Sequence, residues 1–390
     1  MKQYKYLIIG GGLAGDAATR GIRELDPDGS IGLISIEPDP PYMRPNLSKG
    51  LWKGRPLEKI WRKTEERAEL LLGRKATKLD PQKKTVLDDI GDEYTYEKLL
   101  IATGGSPIHL PFGNGNVIYF RNFQHYQRLR QMADEKQHFI VIGGGFIGSE
   151  IAAALTMVGA KVTMVFLEEA IGSLVFPSDL AHYLNDYYRE KGVEVLPNNS
   201  VASVQKEGPR LIVRAGSGRA IEPDGVVAGI GIRPNVGLAE DAGLDVNNGI
   251  VVNERLETSA ADIYAAGDVA NFYHPALEER TRVEHEDNAV RMGKLAGQNM
   301  AGGNETYDQI PMFYSDLFEH GYEAVGEMNS DLEMVSDWQE PFQKGTVYYL
   351  QEGRVRGVLL WNFWKQVKNA RALMMEKGTF KAEDLIGKIK

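Results

Sequence analysis

The chain has 390 residues, 43% of them hydrophobic and 25% charged, which is ordinary for a globular protein and leaves room for two or three domains. A net charge of −9 argues against a nucleic-acid partner, whose backbone is met by basic surfaces. There is no cysteine, which excludes disulfides, thiolate metal sites and any dithiol relay. Residues 4–10 read as a buried strand, 13–25 as a helix and 31–37 as a second strand, a βαβ unit at the start of the chain. A β-rich run follows at 85–101. Residues 139–143, 147–158 and 161–166 then repeat the strand–helix–strand pattern, with further strand-like runs at 193–204 and 211–214. A short strand reaches Gly267-Asp268, and a helix is expected over 281–300. From 306 the character changes: strands are predicted at 321–328, 346–351 and 354–361, with 329–345 as a short connection and an amphipathic helix from about 363.

Met1-Lys2-Gln3-Tyr4 runs directly into the first strand, so no signal or transit peptide is expected. No apolar run approaches the ~20 residues of a spanning helix, and a cytoplasmic location is the default expectation. The seven histidines form no zinc-like pair with a supporting carboxylate, so no metal site is expected.

Each βαβ unit carries a glycine cluster at its first turn: Gly10-Gly11-Gly12-Leu13-Ala14-Gly15, and Gly143-Gly144-Gly145-Phe146-Ile147-Gly148. Glycines here let the backbone approach a pyrophosphate, and the helix that follows offers N–H groups and the positive end of its dipole. Both second strands end near a carboxylate, Glu37 and Glu168, about twenty residues past the last glycine, placed to bind ribose hydroxyls. A carboxylate at Glu168 repels a 2′-phosphate, and no arginine lies close in sequence, so NAD(H) is favoured over NADP(H) there. Two such sockets in one chain point to electrons passing between two bound dinucleotides.

With two fingerprints ahead of it, Asp262-Ile263-Tyr264-Ala265-Ala266-Gly267-Asp268 resembles the Gly-Asp segment of two-dinucleotide flavoprotein reductases. Leu100-Ile101-Ala102-Thr103-Gly104-Gly105 and Ala228-Gly229-Ile230-Gly231-Ile232-Arg233-Pro234-Asn235 are similar to that family's crossovers between FAD and NAD domains. Pro41-Tyr42-Met43-Arg44-Pro45-Asn46-Leu47-Ser48-Lys49 narrows the likeness to the ferredoxin-reductase branch, and most closely to apoptosis-inducing factors. Further matches run nearly end to end: Tyr94–Lys98, Gly143–Glu150, Val283–His285, Met312–Asp316 and Val358–Asn362.

The resemblance implies an α/β fold of the ferredoxin-reductase or glutathione-reductase type. It has two Rossmann-like domains, FAD-binding (1–112 and 242–308) and NADH-binding (113–241), and a C-terminal α+β domain (309–390). It assigns FAD to Gly10, Gly12, Leu13, Ala14, Gly15, Glu37, Arg44, Lys49, Ala76, Ala102, Thr103, Gly104, Arg121, Gly267, Asp268, Glu284, His285 and Tyr314. NAD falls to Gly143, Gly145, Phe146, Ile147, Gly148, Glu150, Glu168 and Gly231. The residues implied in the chemistry are Lys49, Glu150, Phe146 and His285. Lys49 is implied near the flavin's reactive edge, paired to Glu150 on the first helical turn, where a cation stabilises the electron-rich reduced ring. Phe146 is implied at the mouth of the NAD site, displaced when nicotinamide stacks on the flavin. Glu284 and His285 are read as beginning the 281–300 helix. His285 is either a stacking partner of nicotinamide or flavin, or a satisfied structural histidine.

Two departures stand out. Apoptosis-inducing factor has tryptophan at the position of Tyr314, and the long C-terminal insertion of its vertebrate form is missing. The expected reaction is hydride transfer from NADH to FAD, then electron delivery without a cysteine relay to ferredoxin, rubredoxin, a quinone, another small oxidant or oxygen. The alternative is an NADH-responsive switch protein with a slowly reoxidised flavin–NAD charge-transfer complex. A monomer or homodimer is expected.

Overall fold

Strand Lys2–Ile9 is buried along its second half, with Leu7 and Ile8 at 0% exposure, because it runs through the interior of a parallel sheet. The computed structural model describes residues 1–113, 115–135 and 137–390. Two units make up the chain: Met1–Pro45, Pro56–Ser106 and Arg233–Pro311 form one; Asn46–Arg55, Pro107–Ile232 and Met312–Lys390 form the other.

In the first unit the parallel strands run in the order Glu69–Leu72, Ile31–Ser35, Lys2–Ile9, Glu93–Ile101, and Ile263–Ala265 pairs beside Glu93–Ile101. An antiparallel hairpin, Ala76–Asp80 and Thr85–Asp88, extends the sheet from the same strand. Helix Leu13–Leu25 buries Leu13, Ala14, Ala17, Ala18 and Ile22. Its neighbour is helix Glu286–Met300, and glycines bring the two backbones together. A Cβ on Gly293 would lie 2.2 Å from the Ala14 carbonyl oxygen, and one on Gly297 2.2 Å from that of Ala18. Only residues without a side chain permit that approach. The core of this unit gathers Tyr4, Leu7, Ile8, Ile22, Leu99, Leu100, Ile263 and Met292.

The second helix begins at Glu286, with His285 as its extended N-cap, rather than at 281. Residues Glu279–Thr281 instead form a strand, where Thr281 pairs with Phe272 in a hairpin that captures the segment first. Glu284 therefore precedes the helix.

In the second unit five parallel strands run in the order Glu194–Leu196, Lys161–Val165, His138–Ile142, Gly225–Ala228, Val117–Tyr119. Helix Phe146–Met157 packs on them through Ile151, Ala152, Ala153, Ala154 and Leu155, all at most 1% exposed. The carboxyl-terminal residues build an antiparallel sheet in the order Met312–Leu317, His320–Gly326, Arg354–Trp361, Lys344–Gln351, Glu333–Glu340. The segment 329–345, expected as a short connection, thus contains a full strand, Glu333–Glu340. It is the sheet's edge strand, and its polar composition hides the β pattern. The amphipathic helix expected from about 363 begins at Val367 and ends at Met375. Among the described residues no helix is long and apolar enough to cross a membrane.

Candidate functional site

Both glycine turns are built alike. Gly10 has φ +129° and Gly143 φ +109°, values that disfavour any side chain. A Cβ on Gly10 would meet the Ala102 carbonyl oxygen at 2.0 Å, and one on Gly143 that of Gly229 at 2.4 Å. Each turn is thereby pressed against the end of a neighbouring strand. Gly12 and Gly145 are the extended N-caps of the two helices, and neither has a side-chain cap. A Cβ built on either meets nothing within 4 Å. The helix amino ends therefore keep uncapped N–H groups facing open space, which fits a pyrophosphate at each. Gly15 and Gly148 close the turns by packing on the carbonyls of Gly10 and Gly143. Leu13 and Ala14 are buried, while Ile147 is 39% exposed.

In the first unit, Glu37 is engaged on both oxygens. Oε2 accepts from the Tyr42 hydroxyl at 2.6 Å and Oε1 from Arg44 at 2.6 Å. Arg44 also lies over the Tyr42 ring, 5.0 Å from its centre. Burial opposes the Arg44 charge, but Tyr42, Glu37 and Asp268 outweigh it and hold the guanidinium above its usual range. Arg44 thus draws Glu37 and Asp268 into one electrostatic cluster. A Cβ on Gly267 (φ +79°) would lie 2.9 Å from the Ala14 Cβ, which sets Gly267-Asp268 beside the first fingerprint helix.

Arg282 donates to the Asp268 carbonyl at 3.0 Å and pairs with Glu284 at 2.6 Å, tying the Glu284-His285 segment to the same place. Burial pushes the His285 imidazole down to about 4, with Asp268 and Asp287 pulling the other way. Thr103 and Asn235 exchange two hydrogen bonds, Oγ1 to the Asn235 carbonyl and Nδ2 to the Thr103 carbonyl, each 2.8 Å, beside Ala102 and Gly104. Ala76 packs half-buried against the unit's core.

In the second unit, Lys49 and Glu150 meet: Nζ lies 2.7 Å from Oε1, with the lysine side chain 11% and the glutamate 2% exposed. Glu150 is the fifth residue of its helix and so opens the second turn rather than sitting on the first. The Ser48 hydroxyl donates to Oε2 at 2.6 Å and that of Ser315 to Oε1 at 2.5 Å. Lys49 also stands over the ring of Tyr314, 5.3 Å from its centre. Phe146, half-buried, packs on Phe313 with ring centres 5.0 Å apart. Gly231, at φ +98°, accepts from the Ile108 N–H at 2.9 Å. Arg121 immediately precedes Asn122, the N-cap of helix Phe123–Asp134.

Glu168 is half-buried at the end of strand Lys161–Val165, its carbonyl taking the Asn198 N–H at 2.9 Å. Its carboxylate has no hydrogen-bond or ion-pair partner among the described residues. Tyr42, Ser48, Ser315 and Arg282 carry parts of these clusters that the sequence reading did not assign. Tyr42 and Ser48 stand in the same motif as Arg44 and Lys49, which is the signal that was there to use; Arg282 had none.

Two matched glycine turns, each with an uncapped helix and a downstream carboxylate, define a protein with two dinucleotide sites. The chain belongs to the pyridine nucleotide-disulphide oxidoreductase family, which it matches over residues 4–293. Residues 296–340 and 335–376 match the C-terminal domain of mitochondrion-associated apoptosis-inducing factor. It is 34% identical to apoptosis-inducing factor 1, mitochondrial, of Dictyostelium discoideum, over 99% of this chain and 80% of that protein. Monodehydroascorbate reductase 3 of Arabidopsis thaliana is 33% identical over 92% of this chain and 89% of its own. Among solved structures, the covalent putidaredoxin reductase–putidaredoxin complex contains a chain that superposes with a TM-score of 0.91 at 27% identity, covering 98% of this chain and 95% of that one. The protein is accordingly a pyridine nucleotide oxidoreductase with the ferredoxin-reductase fold, and its cofactors are FAD and NAD(H).

Proposed function

We propose that the protein takes hydride from NADH at its second glycine turn, stores the electrons on FAD held at its first, and delivers them to a one-electron protein acceptor of the ferredoxin or rubredoxin kind. When bound, the two cofactors supply the hydride transfer themselves; the protein supplies binding, orientation and charge. In this reading the functional division is 1–112 with 242–308 for FAD, 113–241 for NADH, and 309–390 as the C-terminal domain.

The observation that carries the assignment is the difference between the two carboxylates. Glu37 is already fixed by Tyr42 and Arg44 within a half-buried cluster, which suits a resident cofactor. Glu168 is uncommitted, which suits a nucleotide that enters and leaves, and its charge disfavours a 2′-phosphate. Lys49, anchored on Glu150, supplies a fixed cation for an electron-rich reduced ring, and Phe146 shields the NAD site until nicotinamide displaces it. His285, held neutral by burial, offers a ring face rather than a charge. The absence of cysteine leaves no thiol to accept the electrons, and the similarity to a reductase captured with its putidaredoxin favours a protein acceptor.

The test is anaerobic rapid mixing of the flavin-loaded protein. NADH should bleach the flavin within milliseconds, and one ferredoxin or rubredoxin should restore its colour quickly. Slow bleaching, a persistent long-wavelength band and an NADH-dependent change in mass would instead establish the switch reading, which the C-terminal match to apoptosis-inducing factor favours. A protein that binds no flavin sinks both.

A further inference from the structure

Glu150 is 2% exposed, and a carboxylate that deep is tolerated only when its oxygens are met by several donors. Three converge on it from two segments of the second unit that are distant in the chain. Ser48 donates to Oε2 at 2.6 Å, Ser315 to Oε1 at 2.5 Å, and the Lys49 ammonium lies 2.7 Å from Oε1. Ser48 is 6% exposed and Ser315 0%, so water does not compete for either hydroxyl. The turn that carries Ser48 and Lys49 is itself pinned: Trp52 donates its indole N–H to the Leu47 carbonyl at 2.7 Å, and its backbone N–H to that of Lys49 at 3.1 Å. On the other side, the Tyr322 hydroxyl hydrogen-bonds Ser315, and burial together with the Glu150 charge holds that phenol well above its usual value.

We propose that Ser48 and Ser315 are positioning residues for Lys49. By taking both oxygens of Glu150 they stop the carboxylate from rotating, and they offset part of its negative charge, so that the ammonium is held in one place and its field is not cancelled. Ser315 lies on strand Met312–Leu317, so the C-terminal sheet contributes one of the groups that fix Glu150 and, through it, Lys49. With a hydroxyl on each oxygen, the planar carboxylate cannot turn about its Cγ–Cδ bond without losing a hydrogen bond.

This rests on the reading that Lys49 serves the flavin, and the experiment separates the two. The flavin-loaded protein is prepared as Ser48→Ala, Ser315→Ala, the double variant, Ser48→Thr and Lys49→Gln. Two quantities are read: the midpoint potential of the bound flavin, and the rate at which Lys49 is acetylated, followed by peptide mass mapping. The double variant should acetylate Lys49 several-fold faster. It should also lower the reduced-to-oxidised ratio at fixed applied potential about tenfold, a fall of about 30 mV for a two-electron couple. Ser48→Thr, which restores a hydroxyl, should behave as the parent. If Lys49→Gln moves the potential and the double variant moves neither quantity, the serine assignment is wrong while the role of Lys49 stands. A potential unmoved by Lys49→Gln defeats the flavin reading, and the acetylation rates then decide the serine clamp alone. Should Ser315→Ala fail to fold, Ser48→Ala with its threonine rescue decides both quantities, at about half the expected shift.

Discussion

The two glycine turns share a backbone and differ in what surrounds it. Around the first, nearly every charge is already satisfied. Glu37 is shared by Tyr42 and Arg44, and Asp16 on the fingerprint helix, fully buried, is ringed by Arg20, Arg62, Arg67 and Thr64. Around the second, the helix buries Glu150 on Lys49, Ser48 and Ser315, but Glu168, the carboxylate at the strand end, makes no hydrogen bond or ion pair through its side chain among the described residues. A site whose polar groups are preassembled loses little order when its ligand arrives, and so holds it tightly. A site with a solvated carboxylate exchanges water for ribose and gives it up again. The same local motif can therefore serve retention in one place and turnover in another.

The sharpest way to break this comparison is to add one methyl to each turn. Gly10→Ala forces a side chain to within 2.0 Å of the Ala102 carbonyl oxygen at φ +129°, and should cost roughly 2–5 kcal/mol and abolish flavin retention. Gly143→Ala should leave the yellow colour intact and remove reduction by NADH. If Gly143→Ala loses its flavin while still folding by circular dichroism, or Gly10→Ala keeps it, the division of labour is wrong. Gly12→Ala, with open space before it, should fold normally and weaken only dinucleotide binding.

The next effect belongs to the first turn alone. His285 in the folded protein stays neutral until about pH 4, whereas in the unfolded chain it takes a proton near 6.5. The unfolded state thus binds more protons between these values. Stability should fall as pH drops through that window, by at most about 1.4 kcal/mol per unit, and the loss should level off below it. Chemical denaturation from pH 7 to 4 measures the slope, and His285→Asn should flatten it. A change at the second turn, Glu168→Arg, should shift the ratio of kcat/KM for NADH over NADPH by at least about tenfold, or about 1.4 kcal/mol, without touching flavin content. The smallest expected effect is Tyr42→Phe, which removes one hydroxyl from Glu37. It should weaken flavin binding by about 1 kcal/mol, read by fluorescence titration of stripped protein, and leave the NADH:NADPH preference unchanged.

How much of this was legible beforehand follows from distance along the chain. Gly10, Gly12 and Gly15, and their counterparts 143, 145 and 148, could be read because strand, turn and helix are local and glycine spacing encodes them. The Lys49–Glu150 pair came through family resemblance, since no periodicity links residues a hundred positions apart. The contact of Ser315 with Glu150 was beyond reach. Ser315 lies 165 residues from Glu150, and although it stands beside Tyr314 in the matched stretch Met312–Asp316, nothing in that stretch links a serine hydroxyl to a carboxylate so far away in the chain. The helix boundary near 281 failed because hairpin pairing of Thr281 with Phe272 competes with helix formation and wins through tertiary contacts. Strand Glu333–Glu340 failed because an edge strand carries Glu333, Asp337 and Glu340, so its alternation is diluted by charge.

The glycine contacts between helices Leu13–Leu25 and Glu286–Met300 carry a consequence for the order in which the molecule assembles. A chain growing from its amino terminus produces the first fingerprint helix early, yet the surface that Ala14 and Ala18 must press against is made only with Gly293 and Gly297. The parallel sheet of the second unit, by contrast, draws all five strands from residues 117–228 and has them in hand long before. The unit that begins first is thus completed after its neighbour's nucleotide fold, and its contacts span nearly three hundred residues. Such long closures are slow and leave apolar surface waiting. The amino-terminal strand–helix pair is the part of this protein most dependent on something else to shelter it during synthesis.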